Sequence, residues 1–346
     1  MAGSIGGLFA AALLRRVGWQ VDVYERSAAD LHGRGAGIVT HAELIDALEV
    51  CGASSKDLGM QISGRVGYNR AGDVIESLDL PQWVTSWNRL HTVIRATLPD
   101  AHYHLGCNFE KQEPYEGGVR ASFANGRTTE AELLVGADGF RSSVRGQMHP
   151  LVQPACAGYV VWRGVAPEVG VVGEVDPAYF DTMDFFLPEI TGVVIGYPIA
   201  GANNGVRPGH RQYNWVWNQV IDQETLDDML IDVAGKQHNI SIPPPLIRPA
   251  LIEKMRRDAE KLLPYPFARI LREVAEPFFT PIYDLASPTM VDGNVALVGD
   301  AAFVVRPHCW QGRDEGGCGR QGLAECLDAA AGDVTEGLGA FNSSRM

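Results

Sequence analysis

The chain has 346 residues, and its 42 acidic and 29 basic side chains give a formal net charge of −13. Hydrophobic residues make up 46% of it and charged residues 21%, the usage of an ordinary globular protein, which excludes a disordered chain, a coiled coil and collagen. The acidic surface disfavours nucleic acid and anionic membranes as partners. At ~150 residues per domain, the length predicts about two domains.

The cysteines and the apolar runs indicate a cytoplasmic protein without a metal site. The six cysteines are scattered, with no C-x-x-C pair and no histidine at metal-ligand spacing, as expected of reduced thiols in a long intracellular chain. No apolar run reaches the ~20 residues of a membrane span. Arg15 and Arg16 follow the first apolar run, whereas basic residues precede the apolar region of a cleaved signal peptide.

The first thirty residues predict a glycine turn, a helix and a strand that ends in a carboxylate. Small residues open the chain, before a helical run of apolar residues: Gly3, Ser4, Gly6 and Gly7. Residues 21–25 alternate as a short strand that ends at Glu25. Amide groups at a helix N-terminus can bind a pyrophosphate, and a carboxylate about 20 residues further on accepts hydrogen bonds from a ribose. The pattern favours a dinucleotide-binding unit, with a helix capped by Ser4 as the alternative.

This unit departs from the usual fingerprint in two respects. A strand should precede the glycines, but the chain begins on them, and Ala2 and Ser4 stand at two glycine positions of G-x-G-x-x-G. We therefore expect a dinucleotide-binding domain that lacks its first strand.

Two later segments place an aspartate just beyond a predicted buried strand. Residues 133–137 run into Asp138 and a glycine turn, and residues 295–298 run into Gly299 and Asp300. Open α/β sheets bind ligands at the carboxyl ends of their strands, so either carboxylate is placed to accept hydrogen bonds from a sugar chain. An aspartate that caps the following helix explains each segment equally well.

The middle of the chain, residues 155–275, predicts an antiparallel sheet. Short apolar stretches lie between glycine and proline turns there, a pattern typical of strands joined by tight connections. Alternation places Tyr213, Trp215 and Trp217 on one face of a strand. That face either lines an aromatic substrate pocket, together with Tyr197, or is packed core.

In this order and spacing, the three strand-and-glycine segments resemble the FAD-dependent aromatic hydroxylases of the p-hydroxybenzoate hydroxylase fold, the class A flavoprotein monooxygenases. Gly-Ala-Asp-Gly at 136–139 and Gly-Asp-Ala-Ala at 299–302 look like the two internal signatures of that family. The chain is most similar to the 2,6-dihydroxypyridine 3-monooxygenase-like branch, through segments spread along its length: 34–38, 159–164, 213–217, 281–284 and 303–308.

The resemblance implies an α/β fold in which a Rossmann-like FAD-binding domain carries an inserted, mainly antiparallel β-sheet substrate domain. The FAD-binding domain would comprise residues 1–65, 86–155 and 276–346, and the substrate domain residues 66–85 and 156–275.

The resemblance also implies a set of cofactor-binding residues: Gly3, Ser4, Gly6, Gly7, Glu25, Arg26, Arg34, Asp138, Gly299, Asp300 and Pro307. Glu25 would hold the adenosine ribose, Asp300 the ribitol chain, and Pro307 would border the flavin ring. His308 is the candidate catalytic base for a ring hydroxyl, with a helix-capping histidine as the alternative. Tyr197, Tyr213 and Trp215 are the candidate substrate-pocket residues.

The implied reaction is hydroxylation of a small hydroxylated aromatic or N-heteroaromatic ring. NADH or NADPH would reduce FAD, and O2 would then form a flavin C4a-hydroperoxide that transfers OH to the ring. The cofactor supplies the difficult chemistry, so the protein mainly positions the substrate and excludes water. A homodimer is compatible with this expectation.

Residues 309–320 depart from the family pattern. The family has a glycine pair, Val-Thr-Lys and an alanine-rich helix here, whereas this chain has a glycine-rich run before a regular helix resumes near Leu323. A local reading-frame slip would explain the difference, and the chain also ends within the closing helix of the family. Two alternatives therefore stay open: a truncated or frame-damaged remnant with impaired FAD binding, and a non-hydroxylating FAD oxidoreductase such as an oxidase or halogenase.

Overall fold

The computed structural model describes residues 3–31, 37–188, 192–304, 306, 315–331 and 333–345. The chain contains both helices and strands, in agreement with the predicted α/β class. The helices are α1 (Ile5–Arg16), α2 (Ala42–Val50), α3 (Trp87–Arg95), α4 (Ser143–Met148), α5 (Gln223–Met229), α6 (Pro249–Leu262), α7 (Tyr265–Arg272), α8 (Glu315–Ala329) and α9 (Val334–Arg345).

The strands fall into one large sheet and three small ones. They are β1 (Val23–Tyr24), β2 (Gly37–Val39), β3 (Met60–Tyr68), β4 (Val74–Ser86), β5 (Tyr103–His104), β6 (Phe109–Tyr115), β7 (Gly118–Phe123), β8 (Thr128–Ala131), β9 (Leu134–Gly136), β10 (Ala155–Pro167), β11 (Thr182–Phe186), β12 (Val194–Ile199), β13 (Gln212–Val220), β14 (Phe278–Ala286), β15 (Val291–Asp292), β16 (Val295–Leu297) and β17 (Phe303–Val304). The large sheet has the order β17-β14-β10-β13-β12-β11-β3-β4-β2.

Helix α1 and two parallel strand pairs form the part of the fold that contains the predicted dinucleotide-binding unit. Strand β1 pairs in parallel with β5, and β9 pairs in parallel with β16. Apolar side chains of α1 pack with β1, β16, α3 and α8 in one core cluster. The predicted helix and strand before Glu25 are thus confirmed, and Gly18 follows the helix with a positive φ of 94°.

The large sheet is antiparallel except where β11 runs parallel to β3, so the antiparallel sheet predicted for 155–275 is confirmed. Helices α6 and α7 cover one of its faces, and their apolar side chains form the largest core cluster with β10, β13 and β14. We call this the helix-covered face. The opposite face carries Met60, Met183, Ile195 and Tyr197, and we call it the Tyr197 face.

Strand β14 follows the predicted domain boundary at 275/276 and pairs with β10 from Phe278 to Asp284, and the boundary itself stays a prediction. One sequence expectation needs correction. Helix α8 begins at Glu315 rather than near Leu323, so a cost of roughly 1 kcal/mol for each interior glycine does not prevent the helix from including them. In the described part of the chain, no helix is long and apolar enough to cross a membrane.

Candidate cofactor and substrate site

The N-terminus of α1 presents its first amide groups without a side-chain cap. Ser4 occupies the N-cap position in an extended conformation, and its side chain makes no capping hydrogen bond. The first N–H groups of a helix lack intrahelical partners, and the helix dipole favours negative charge there. The predicted residues Gly3, Ser4, Gly6 and Gly7 therefore lie together at a helix end suited to a pyrophosphate.

Glu25 lies beside this helix end, directly after β1. Its buried carboxylate accepts hydrogen bonds from the N–H groups of Gly3 (2.8 Å) and Ser27 (2.9 Å). Each carboxylate oxygen has a second lone pair, so the group can also accept from a ribose hydroxyl. The structure thus brings Gly3 and Glu25 together, whereas the predicted Arg26 is exposed.

Two side chains that sequence reasoning missed enclose Gly3. The Tyr103 hydroxyl and the His91 Nε2 atom donate hydrogen bonds to its carbonyl, at 3.1 and 2.8 Å. A Cβ atom at residue 3 would overlap the Tyr103 ring. Burial raises the pKa of Tyr103 to about 12, and the charge of Glu25 acts in the same direction, so the hydroxyl keeps its proton. Neither residue lies in a motif, and only the pairing of β1 with β5 reveals Tyr103.

The Asp138 carboxylate organises the start of α4. It accepts hydrogen bonds from the Ser142 hydroxyl at 2.5 Å and from the N–H groups of Ser143 and Val144 at 2.7 and 3.3 Å. The helix-capping interpretation of this aspartate therefore accounts for its contacts. These contacts fix the shape of the turn after β9.

Arg145 connects the two aspartate segments. Its buried guanidinium donates hydrogen bonds to the carbonyls of Phe140 (2.6 Å) and Ala301 (2.9 Å), and more weakly to that of Asp300 (3.4 Å). Burial lowers the pKa of Arg145, and the nearby Asp138 charge opposes that shift. The turn after β9 is thereby fixed to the turn after β16.

Gly299 and Asp300 follow the carboxyl end of β16. Gly299 has a φ of +60°, a conformation that favours glycine, and this turn leaves Asp300 exposed. An exposed carboxylate at the carboxyl end of a parallel strand is placed for ligand hydroxyls. Uncapped amides at α1, a buried Glu25 and an exposed Asp300 together match the pyrophosphate and the hydroxyl-bearing chains of FAD, so the residues present fit this cofactor.

The large sheet separates the three predicted pocket residues. Tyr213 and Trp215 are 0% exposed and lie in the core of the helix-covered face, so their interpretation as pocket residues is corrected to packed core. Residues that pair across neighbouring strands lie on the same face, and Tyr197 pairs with Asn214, not with Tyr213, across β12 and β13. Side chains alternate between the two faces along β13, so Asn214 lies on the face opposite to Tyr213. The Tyr197 side chain therefore lies on the opposite face.

The Tyr213 hydroxyl takes part in a buried polar cluster under the helix-covered face. It donates to Asp184 at 2.7 Å, and Thr182 and Tyr68 donate to the same carboxylate at 2.8 and 3.3 Å. Burial raises the pKa of Asp184 to about 7, although these hydrogen bonds oppose the shift. The carboxyl group is therefore a titratable group of the core.

Three predicted site residues lie outside the described residues: Arg34, Pro307 and His308. The neighbouring Gly37 is described, and its N–H donates to the Asn214 side-chain oxygen at 2.8 Å. The 37–39 strand that follows the predicted Arg34 segment thus lies against the Tyr197 face. Sequence reasoning did not select Asn214, although its alternation with Tyr213 and Trp215 places it on that face.

Comparison with known proteins identifies the class of protein to which this fold belongs. A family model described as FAD binding domain-like matches residues 156–284. The solved structure of 2,6-dihydroxypyridine-3-hydroxylase from Arthrobacter nicotinovorans superimposes with a TM-score of 0.86 at 29% identity, over 99% of this chain and 86% of that one. Klebsiella pneumoniae HpxO, solved with FAD and uric acid, has the same fold, with a TM-score of 0.74 at 21% identity over 99% of this chain and 82% of that one. The fold is that of FAD-dependent hydroxylases.

Curated relatives narrow this class. The 2,6-dihydroxypyridine 3-monooxygenase of Paenarthrobacter nicotinovorans is 32% identical over 314 residues, which cover 90% of this chain and 78% of that protein. Aurachin C monooxygenase/isomerase of Stigmatella aurantiaca is 28% identical, over 99% of this chain and 83% of that protein. The chain belongs to the family of FAD-dependent aromatic monooxygenases.

Proposed function

We propose that this protein hydroxylates a small hydroxylated N-heteroaromatic or phenolic ring, with NADH or NADPH as reductant and O2 as the oxygen source. The observation that carries the proposal is the junction made by Arg145, which holds the turns after β9 and β16 together at the strand ends. The similarity to 2,6-dihydroxypyridine 3-monooxygenase supports a dihydroxypyridine as the first substrate to test.

In this proposal, the groups at the N-terminus of α1 and at the strand ends each bind one part of FAD. The α1 amides around Gly6 would hold the pyrophosphate, Glu25 the adenosine ribose and Asp300 the ribitol chain. FAD, when bound and reduced, supplies the activation of O2. The protein places the ring on the Tyr197 face and keeps water out of the reaction. Pro307, which would border the flavin ring, and His308, the candidate base, lie outside the described residues and stay predictions.

A visible spectrum and a turnover assay test the function together. We expect the purified protein to bind FAD and show flavin absorbance, and we expect 2,6-dihydroxypyridine to stimulate NADH or NADPH oxidation with formation of a hydroxylated ring. Stimulated oxidation that yields only hydrogen peroxide would indicate a non-hydroxylating oxidoreductase. A folded protein that stays colourless in excess FAD would indicate a remnant without cofactor binding.

A further inference from the structure

Arg163 lies on β10, an interior strand of the large sheet, and belongs to the Tyr197 face. Strand β10 is flanked by β13 and β14, where Arg163 pairs with Val216 and Phe278. Its neighbour Trp162 is buried in the core of the helix-covered face. Because side chains alternate along a strand, the Arg163 side chain is directed to the other face.

This guanidinium has no acceptor among the described residues. Other enclosed arginines of this chain are paired: Arg211 contacts Glu168 at 2.6 Å, and Arg145 donates to backbone carbonyls. Apart from its backbone pairing in the sheet, the Arg163 side chain makes no hydrogen bond or ion pair with any described residue. Burial lowers the pKa of Arg163, since a desolvated cation without a counter-charge is costly. The fold thus places an uncompensated positive charge on this face.

The neighbouring polar groups are also hydrogen-bond donors. Asn214 is buried, and its oxygen accepts from Gly37, while its Nδ2 amide group has no partner among the described residues. Tyr197 lies directly across from Asn214, and a Cβ atom at Gly37 would lie 2.7 Å from the Tyr197 ring and 2.9 Å from the Asn214 side chain. Arg163 pairs with Val216, which pairs with Ile195, two positions from Tyr197 and on the same face. Burial raises the pKa of Tyr197 well above its usual value, while the Arg163 charge opposes this shift. The hydroxyl therefore stays protonated and can donate.

Apolar side chains surround these donors. Val165, Ile195 and Val216 belong to the same face by register and are only half-buried. Small-molecule sites typically combine an apolar lining with a few convergent polar groups. Here a flat apolar surface suits a ring, and the convergent groups are a cation and two neutral donors.

We propose that Arg163, Tyr197 and Asn214 form an oxyanion site for the aromatic substrate, which binds as a ring oxyanion or through a ring carboxylate. The inference rests on the proposed function, since it takes the ligand of this face to be the ring that is hydroxylated. A guanidinium beside a ring hydroxyl favours its deprotonated form. When a neutral hydroxyl binds, its proton leaves to solvent and the negative charge stays on the oxygen, which makes the ring more electron-rich.

Matched pairs of ligands test the site on the FAD-loaded protein. In the first pair, benzoate is an anion and benzamide is an uncharged molecule of similar size. In the second pair, 2,6-dihydroxypyridine is used in its anionic form and 2,6-dimethoxypyridine is its uncharged counterpart. Calorimetric titration would give the affinities for the wild type, Arg163→Met and Arg163→Lys, with Arg120→Met as a control. Arg120 lies on β7, is exposed and pairs with Glu130, so its loss leaves this face unchanged.

We expect Arg163→Met to weaken the binding of one or both anions by roughly ten- to hundredfold. The affinity for the uncharged ligand of each pair should stay the same. Arg163→Lys should retain part of the anion affinity that Arg163→Met loses. Loss confined to benzoate would assign the carboxylate, and loss confined to the pyridine the ring oxyanion. The ligand-free Arg163→Met protein should melt at the same or a higher temperature than the wild type, because a half-buried charge without a partner among the described residues is removed.

Three results would overturn the inference: a wild type that binds neither anion, a wild type that binds each anion no tighter than its uncharged partner, or a variant with unchanged anion affinity. A lower melting temperature with unchanged affinity would assign Arg163 a structural role instead. Failure of NAD(P)H-dependent hydroxylation with intact, Arg163-dependent anion binding would overturn the proposed function and leave this site standing.

Discussion

Replacement of Glu25 by glutamine tests the cofactor site at its most enclosed carboxylate. Glu25 is 5% exposed, and its two oxygens accept hydrogen bonds from Gly3 and Ser27 at 2.8 and 2.9 Å. In Glu25→Gln, one oxygen becomes an amide group that must face an N–H donor. The variant therefore loses a charge-assisted hydrogen bond and leaves a donor unpaired, and each effect costs about 1–3 kcal/mol.

We expect Glu25→Gln to lower the free energy of unfolding by about 2–4 kcal/mol. Urea unfolding of the FAD-free protein measures this loss, and an unchanged m-value would show that the compactness of both states is retained. Glu116→Gln, at an exposed turn position, is the matched control and should unfold as the wild type does. A loss below about 0.5 kcal/mol, the range of ordinary surface substitutions, would refute the assigned hydrogen bonds.

The same variant separates a structural role of Glu25 from cofactor recognition. If Glu25 also accepts from the adenosine ribose, FAD should bind the folded variant about tenfold more weakly. FMN lacks the adenosine, so its affinity should be equal in wild type and variant. Titration of flavin fluorescence measures both, and equal FAD affinities would contradict the proposed ribose contact.

Three further perturbations follow from the contacts. The fold raises the pKa of Asp184 to about 7 from 3.8, so it favours the protonated form; the free energy of unfolding should fall as pH rises from about 4 to about 7, by at most about 1.4 kcal/mol per pH unit. Asp184→Asn should remove this pH dependence when the free energy of unfolding is measured with urea at several pH values. The same dependence on pH in variant and wild type would contradict the assignment to Asp184. Arg145→Met should cost about 2–4 kcal/mol and weaken FAD binding, measured by thermal unfolding and flavin titration; unchanged FAD affinity would show that the junction does not shape the site. Gly164→Ala places a methyl group into Val274 and should cost about 1–3 kcal/mol, part of which a second change, Val274→Ala, should restore; additive losses in thermal unfolding would speak against this contact.

Local patterns were sufficient for the nucleotide-binding elements. Helix spacing predicted α1, alternation predicted β1, and the spacing of both brought Glu25 to Gly3, where the structure has a hydrogen bond. These features depend on residues close in sequence. The contact of Tyr103 with Gly3 spans a sequence separation of 100 residues, and no local pattern encodes it.

Alternation also predicted which residues share a face, but not which face carries the site. Tyr213 and Trp215 share a face, yet α6 and α7 cover that face and bury both side chains. The opposite face, with Arg163 and Asn214, has the groups that suit a polar ligand. An isolated strand sequence contains no information on where the helices of distant segments will pack.

Strand pairing assigns residues 278–286 to the large sheet. Their local pattern does not show their partner, but they pair with β10 from Phe278 to Asp284. The hydrogen bonds to a strand more than a hundred positions earlier determine membership of the sheet. Local composition cannot detect such a pairing, and the predicted boundary at 275/276 stays a prediction.

Labelled oxygen provides the most direct test of the proposed hydroxylase activity. The FAD-loaded protein would be supplied with NADH or NADPH, 2,6-dihydroxypyridine and isotopically labelled O2, and the product analysed by mass spectrometry. We predict a ring product that contains one labelled oxygen atom, in an amount that matches the nicotinamide oxidised. A hydroxylated product without the label, or nicotinamide oxidation that yields only labelled hydrogen peroxide, would contradict the assignment of this chain as an aromatic hydroxylase.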